Sequence, residues 1–212
     1  LKKLLIIGAS GHGKVVANIA HDCNEWDEIA FIDDDKKKIG SSFSDFKVID
    51  VTKNVRSYVD DYEFVIGIGD ADVRERLTLF LKESGAKFTT LIHPSVVIGL
   101  DVKIEQGTVI MPGCIINSST IIKESCIINT ASTINHDCEI NKYAHISPGS
   151  HIAGNVSIGE KCWVGIGSSI VNDITIVDNC TIGAGAVVVA DISQSGTYVG
   201  IPAKIIHSRK SD

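Results

Sequence analysis

The chain has 212 residues, 44% of them hydrophobic, and a formal net charge of −6 with only 20 basic residues. That length and apolar content allow a core in one large or two small domains, and the charge argues against nucleic acid as the main partner. No apolar run is long enough to span a membrane, and residues 1–11 are too short and glycine-rich a stretch for a signal peptide.

Residues 4–7 form a short apolar run that reads as a strand entering the turn Gly8, Ala9, Ser10, Gly11, His12, Gly13. Val15, Val16, Ile19 and Ala20 then follow at helical spacing. Residues 29–32 read as a second strand, ending in Asp33, Asp34 and Asp35. A polar stretch leads to a third strand at residues 64–69. Residues 73–84 predict a helix with Leu77, Phe80 and Leu81 on one face and Gly85 as its C-terminal cap. Alternating strands and helices predict a small, Rossmann-like parallel sheet, about half the size of a full dinucleotide-binding domain. The pattern ends near Leu91, Ile92, His93 and Pro94, which places the first domain at 1–92 and the second at 93–212.

A glycine-rich turn between strand and helix offers backbone N–H groups and the positive end of a helix dipole to a phosphate. The spacing here is G-x-x-G-x-G rather than the G-x-G-x-x-G of nicotinamide binders, so a plain tight turn stays as open as a phosphate site. His12 inside the loop favours a ligand, and Asp33 to Asp35 lie about where a ribose-binding acid would sit. With no second nucleotide-binding half, the nucleotide part of a substrate fits better than a redox cofactor. A dehydrogenase is the weakest reading of this loop.

From Ile98 to Val188 an Ile or Val recurs at every sixth residue, sixteen times without a miss. Neither a helix nor a flat strand has that period, whereas a strand that bends every sixth residue does. Fixed-period hexapeptides predict a parallel β-helix of triangular, eighteen-residue coils. Fifteen hexads make five coils, a prism roughly 24 Å tall at about 4.8 Å per coil. Four residues after each aliphatic position the side chain is nearly always small, as a tight inner corner requires. Cys114, Cys126, Cys138, Cys162 and Cys180 fall in that register, so they read as small buried hydrophobes, and no ligand spacing points to a metal. Reduced thiols fit a cytoplasmic protein.

Polar chemistry concentrates in one stretch, with Asn129, Asn135, His136, Asp137, His145 and His151 close together. An isolated His136 would read as a solvated surface residue, but three histidines among Asn and Asp make a site an equal alternative. Histidine can take a proton at neutral pH, and an adjacent carboxylate can hold its tautomer. Asp137 can do so only if the backbone bends there, since neighbours on a straight strand point oppositely. No Ser or Cys is paired as a nucleophile, so direct attack by an acceptor with His136 as general base is the simplest scheme.

The segments IIGASGHGKVV, FIDDD, VIGIGD, LIHPSVVIG, INTASTINHDCEI, HISPGSHIAGNVSIGEKCWVGIGSSI and VGIPAKII together resemble the PglD/NeuD-type sugar acetyltransferases, end to end. The resemblance implies a left-handed β-helix of the hexapeptide-repeat superfamily and a homotrimer with acetyl-CoA, the co-substrate, between neighbouring β-helices. It also implies a nucleotide-activated amino sugar on the α/β domain. By the same resemblance His136 is the catalytic base and Asp137 its supporting acid. Asn129 and His145 are polar site residues for acetyl-CoA, His145 close to the thioester, and Gly154, Ile166 and Ala184 line the CoA groove. Ser10, Gly11, His12, Asp33, Asp34 and Gly69 would hold the sugar nucleotide. Two segments depart from the family pattern: Ile68, Gly69, Asp70, Ala71 stands for I-G-N-N, and Val199, Gly200, Ile201, Pro202, Ala203 for V-G-N-P-A. Both bear on the acceptor rather than on acetyl transfer. The expected activity is N-acetylation of a UDP-linked 4-amino-4,6-dideoxy-N-acetyl sugar of the bacillosamine type. The alternatives are O-acetylation of sialic acid or a related sugar, and a non-catalytic trimeric scaffold or sensor.

Overall fold

The computed structural model describes residues 1–208, in two compact units divided after Pro94. In the first, strand β1 (Lys3–Ile7) leads into helix α1 (Gly11–Cys23), followed by β2 (Glu28–Ile32), a hairpin of β3 (Ser42–Phe43) and β4 (Phe46–Asp50), β5 (Glu63–Ile66), helix α2 (Ala71–Glu83) and β6 (Lys87–Phe88). The sheet order is β3-β4-β2-β1-β5-β6, parallel except within the hairpin. Crossover helices cover the central strands, which is why β1, β2 and β5 are almost wholly apolar. Leu5, Ile7, Ala30, Ile32, Phe64 and Ile66 from those strands pack with Val55, Leu77 and Leu81 in one buried cluster.

The hairpin is the element that the sequence reading passes over as a polar stretch. In β4 only Val48 is buried, with Phe46 and Ile49 half-buried, so this strand between β3 and β2 carries a weaker apolar signal than the central strands. Helix α2 forms where the spacing predicts it. Asp70 caps it by accepting from the N–H of Val73 at 2.9 Å, and Gly85 follows with φ of +84°.

The second unit is a parallel β-helix. Two-residue strands recur every six residues and stack in register every eighteen, as in Ile128↔Ile146, Ile146↔Val164 and Val164↔Ile182. Three parallel sheets result. The antiparallel pair Gly196–Val199 and Lys204–Ser208 continues one of them at its C-terminal end. From Ile110 to Val188 every aliphatic residue of the ladder is buried, whereas Ile98 is 42% exposed because an end coil has a coil on one side only. The bend lies three residues after each aliphatic position. All fifteen residues from 101 to 185 at six-residue steps have φ between 54° and 73°. Ten of them are not glycine, and half of those ten are Asn or Asp, the side chains that best tolerate this region.

The inner-corner cysteines are donors as well as fillers. The thiols of Cys114, Cys126, Cys138 and Cys162 point to the carbonyls of Asn129, Asn141, Ala153 and Val177 at 3.0–3.1 Å. Thr120 and Ser150 do the same with hydroxyls, at 2.8 and 2.9 Å. Each satisfies a corner carbonyl fifteen residues on that the strand ladder does not use. Burial pushes the thiols of Cys114 and Cys138 above their ordinary range, so they are poor thiolates.

Candidate active site

At residues 134–138 the chain leaves the strand Thr133–Ile134 and turns through Asp137, whose φ is +59°. This is the bend that lets neighbouring side chains meet. His136 Nδ1 lies 2.8 Å from Asp137 Oδ2, and both side chains are more than half exposed. The turn is tied on both sides: the N–H of His136 donates to Asn135 Oδ1 at 2.9 Å, and that of Asp137 to the carbonyl of Ser118 at 3.0 Å. With the carboxylate on Nδ1, the ring proton belongs there, and Nε2 presents a lone pair. The ring sits over Gly154, one coil on, where a Cβ would come within 2.5 Å of Cε1 and 2.6 Å of Nε2.

A second cluster lies on another edge of the prism, around the strands Ile127–Ile128, His145–Ile146 and Trp163–Val164. Asn129 Oδ1 accepts from the N–H of Thr130 at 2.8 Å, which fixes the amide so that Nδ2 faces His145 Nε2 at 3.1 Å. His145 is stacked on Trp163, with centroids 6.0 Å apart and planes inclined by 10°. Trp163 Nε1 donates to Ser147 Oγ at 2.8 Å. Ile166 and Ala184 are exposed on the same edge, eighteen residues apart. Within one chain, then, His136 is brought to Asp137 and Gly154, and Asn129 to His145, on two different edges. Trp163 and Ser147 were missed by sequence reasoning. The signal available was an aromatic residue at an outward hexad position, eighteen residues after a histidine.

In the first unit the glycine turn joins β1 to α1. A Cβ at Gly13 would strike the Gly8 carbonyl oxygen, so this glycine lets the helix lie directly on the strand end. Gly11 and Gly69 face open space. Ser10 occupies the N-cap of α1 without a side-chain cap bond, and no acid stands in the first turn. Asp33 Oδ2 accepts from the N–H of Ala9 at 2.7 Å and from Lys38 Nζ at 2.8 Å, while Oδ1 accepts from the N–H of Asp35 at 2.9 Å. Burial alone would raise this carboxyl, but those donors outweigh it and hold it below its usual range. Asp33 therefore anchors the glycine loop. Asp34 Oδ1 accepts from the N–H of Thr52 at 2.8 Å. The fully buried Arg74, also unforeseen, donates from Nη1 to the carbonyls of Ile68 and Gly69 at 3.1 and 2.8 Å. Burial and that guanidinium push His12 down to about 4, so its imidazole is neutral at pH 7. A cavity of about 170 Å³ opens at the C-terminal ends of the strands, lined by Gly8, Asp33, Asp34, Thr52, Ile68 and Arg76 among others. Another of about 210 Å³, with Lys14, Lys38, Ser41 and Ser42 in its wall, lies beside Ala9. Among the described residues no group of three or more His, Cys, Asp or Glu is arranged to hold a metal, and no helix is long and apolar enough to cross a membrane.

The PglD N-terminal domain family matches residues 3–79. The UDP-N-acetylbacillosamine N-acetyltransferase of Bacillus subtilis is 36% identical over 113 residues, and the match spans about half of each protein (52% of the chain, 52% of the relative). Likeness to solved structures runs end to end. The acetyltransferase domain of PglB from Neisseria gonorrhoeae, in complex with acetyl coenzyme A, superposes with a TM-score of 0.93 at 37% identity, covering 97% of this chain and 99% of that one. PerB from Caulobacter crescentus, in complex with CoA and GDP-perosamine, gives 0.91 at 31% identity, with 98% of both covered. With a small parallel α/β sheet followed by a left-handed parallel β-helix, the chain belongs to the PglD-type family of hexapeptide-repeat sugar acetyltransferases.

Proposed function

We propose that the chain is an acetyl-CoA-dependent N-acetyltransferase of a nucleotide-linked 4-amino sugar, a UDP-linked 4-amino-4,6-dideoxy-N-acetyl sugar of the bacillosamine type. The names of the relatives support the class: one acts on UDP-N-acetylbacillosamine, and another is complexed with CoA and GDP-perosamine. The observation that carries the chemistry is the 2.8 Å contact of His136 Nδ1 with Asp137. It makes Nε2 the base, whereas Nε2 of His145 is already engaged by the Asn129 amide. Acetyl-CoA supplies the acetyl group as a thioester. As the sugar amine attacks the carbonyl carbon, His136 Nε2 takes its proton, a backbone N–H steadies the oxyanion, and the C–S bond breaks to release thiolate. The residues Ser10, Gly11, His12, Asp34 and Gly69, with the two cavities beside them, are the proposed seat of the nucleotide sugar, and Asp33 holds that seat in shape.

His136→Ala is expected to lower turnover of acetyl-CoA with a UDP-linked 4-amino sugar by about 10²–10⁴-fold, read by CoA release and product mass. Turnover near that of the parent, in protein with unchanged unfolding temperature, would overturn the assignment.

The assembly we infer is a homotrimer. Its support is that His136 and Gly154 occupy one edge of the prism, and Asn129, His145, Ile166 and Ala184 another, so that a complete site takes an edge from each of two copies. Sedimentation equilibrium should return three chain masses. A fully active monomer would contradict this arrangement.

A further inference from the structure

We propose that Trp163 is a positioning residue for acetyl transfer: it holds the ring plane of His145 so that Nε2 stays on the Asn129 amide, and this histidine keeps its proton on Nδ1 and acts as an N–H donor rather than a second base. The inference rests on the acetyltransferase reading and goes beyond it, since nothing else assigns Trp163 a role. Two contacts hold the imidazole, each fixed at its far end. The Asn129 amide cannot flip, because Oδ1 takes the N–H of Thr130 at 2.8 Å, so Nδ2 donates to His145 Nε2. An Nε2 that accepts carries no proton, and the neutral ring must hold it on Nδ1. The ring plane is then set by stacking on the indole, inclined by only 10°. The indole is held in turn by its N–H on Ser147 Oγ, at 2.8 Å, and Ser147 is itself buried. Trp163 is 54% exposed and stands on the same outer face as its register partner His145. Asn129, His145, Trp163 and Ser147 thus form one chain of contacts from a fixed turn to a fixed hydroxyl, with the histidine in its middle.

The test uses the intact two-unit chain, with Trp163→Phe, Trp163→Ala and the parent compared. Nitrogen-15 chemical shifts of His145 report which ring nitrogen carries the proton, independently of any substrate. The parent is expected to show the Nδ1–H form. Trp163→Phe, which keeps the stacking face, should retain that form and most of the turnover. Trp163→Ala should mix the tautomers and lower kcat roughly 10- to 100-fold, as a misplaced group does, with a smaller change in KM for acetyl-CoA. Folding is checked by far-ultraviolet circular dichroism. A Trp163→Ala protein that keeps both the Nδ1–H form and the parental kcat would overturn the proposal, as would a parent with the proton on Nε2. If no acetyl transfer is found in the parent while the tautomer shifts behave as expected, it is the acetyltransferase reading that fails, not the positioning role.

Discussion

At His136 the ring has room only because residue 154 carries no side chain, a Cβ there lying 2.5 Å from Cε1. The backbone of Gly154 is not in the left-handed region, so alanine fits the main chain, and the exposed imidazole is what must yield. Gly154→Ala is therefore expected to leave thermal unfolding within a degree or two of the parent and to cut kcat by roughly 10- to 100-fold through misplacement of Nε2. Parental kcat would show that the ring does not need this seat. The pairing of His136 with Asp137 was legible in the sequence only as a condition, that the backbone bends between them. The bend is met by a φ of +59° at Asp137. Asp33 was legible as an acid in the right place, and what the sequence left out is that its carboxylate also takes the N–H of Ala9 and the ammonium of Lys38.

Elements differ in how much of themselves they write into a sequence. The aliphatic ladder is read without error because from Ile110 to Val188 each of its residues is a core residue of a coil, and the six-residue step is imposed by a corner at every sixth position. Strands β1, β2 and β5 are equally plain, since a sheet covered on both faces needs continuous apolar runs. Strand β4 escapes notice because its apolar residues Phe46, Val48 and Ile49 are broken by Lys47 and ended by Asp50, and its place between β2 and β3 is set by main-chain pairing. The cysteines were rightly placed in the interior, yet their thiols also serve corner carbonyls fifteen residues away, a need created by the coil rather than by any local motif.

For the whole molecule, the depressed His12 makes stability depend on pH. Its folded value of about 4 lies below the ordinary 6.5, so between those limits the unfolded chain binds a proton that the native one refuses. The contribution is complete above pH 6.5 and is lost as pH falls toward 4, on the order of 3 kcal/mol at its limit. The loss belongs to the transition of the first unit, which contains both His12 and Arg74. Urea midpoints at pH 7.5 and 4.5 should separate clearly for the parent and much less for His12→Gln. An equal separation in the two proteins would place the acid sensitivity elsewhere.

By itself the sequence determined the order of the two architectures and the period of the second, because apolar spacing records which side chains must leave water. It also brought His136, Asp137, Asn129 and His145 into view as residues that an ordinary solenoid strand has no use for. Only the tertiary structure decided what those residues touch. A stack that repeats every eighteen residues sets Gly154 under His136 and Trp163 against His145, and the α/β sheet spends Asp33 on a loop twenty-four residues away in the chain. Contacts of that kind depend on register between distant segments, and register leaves no mark on the identity of any one residue.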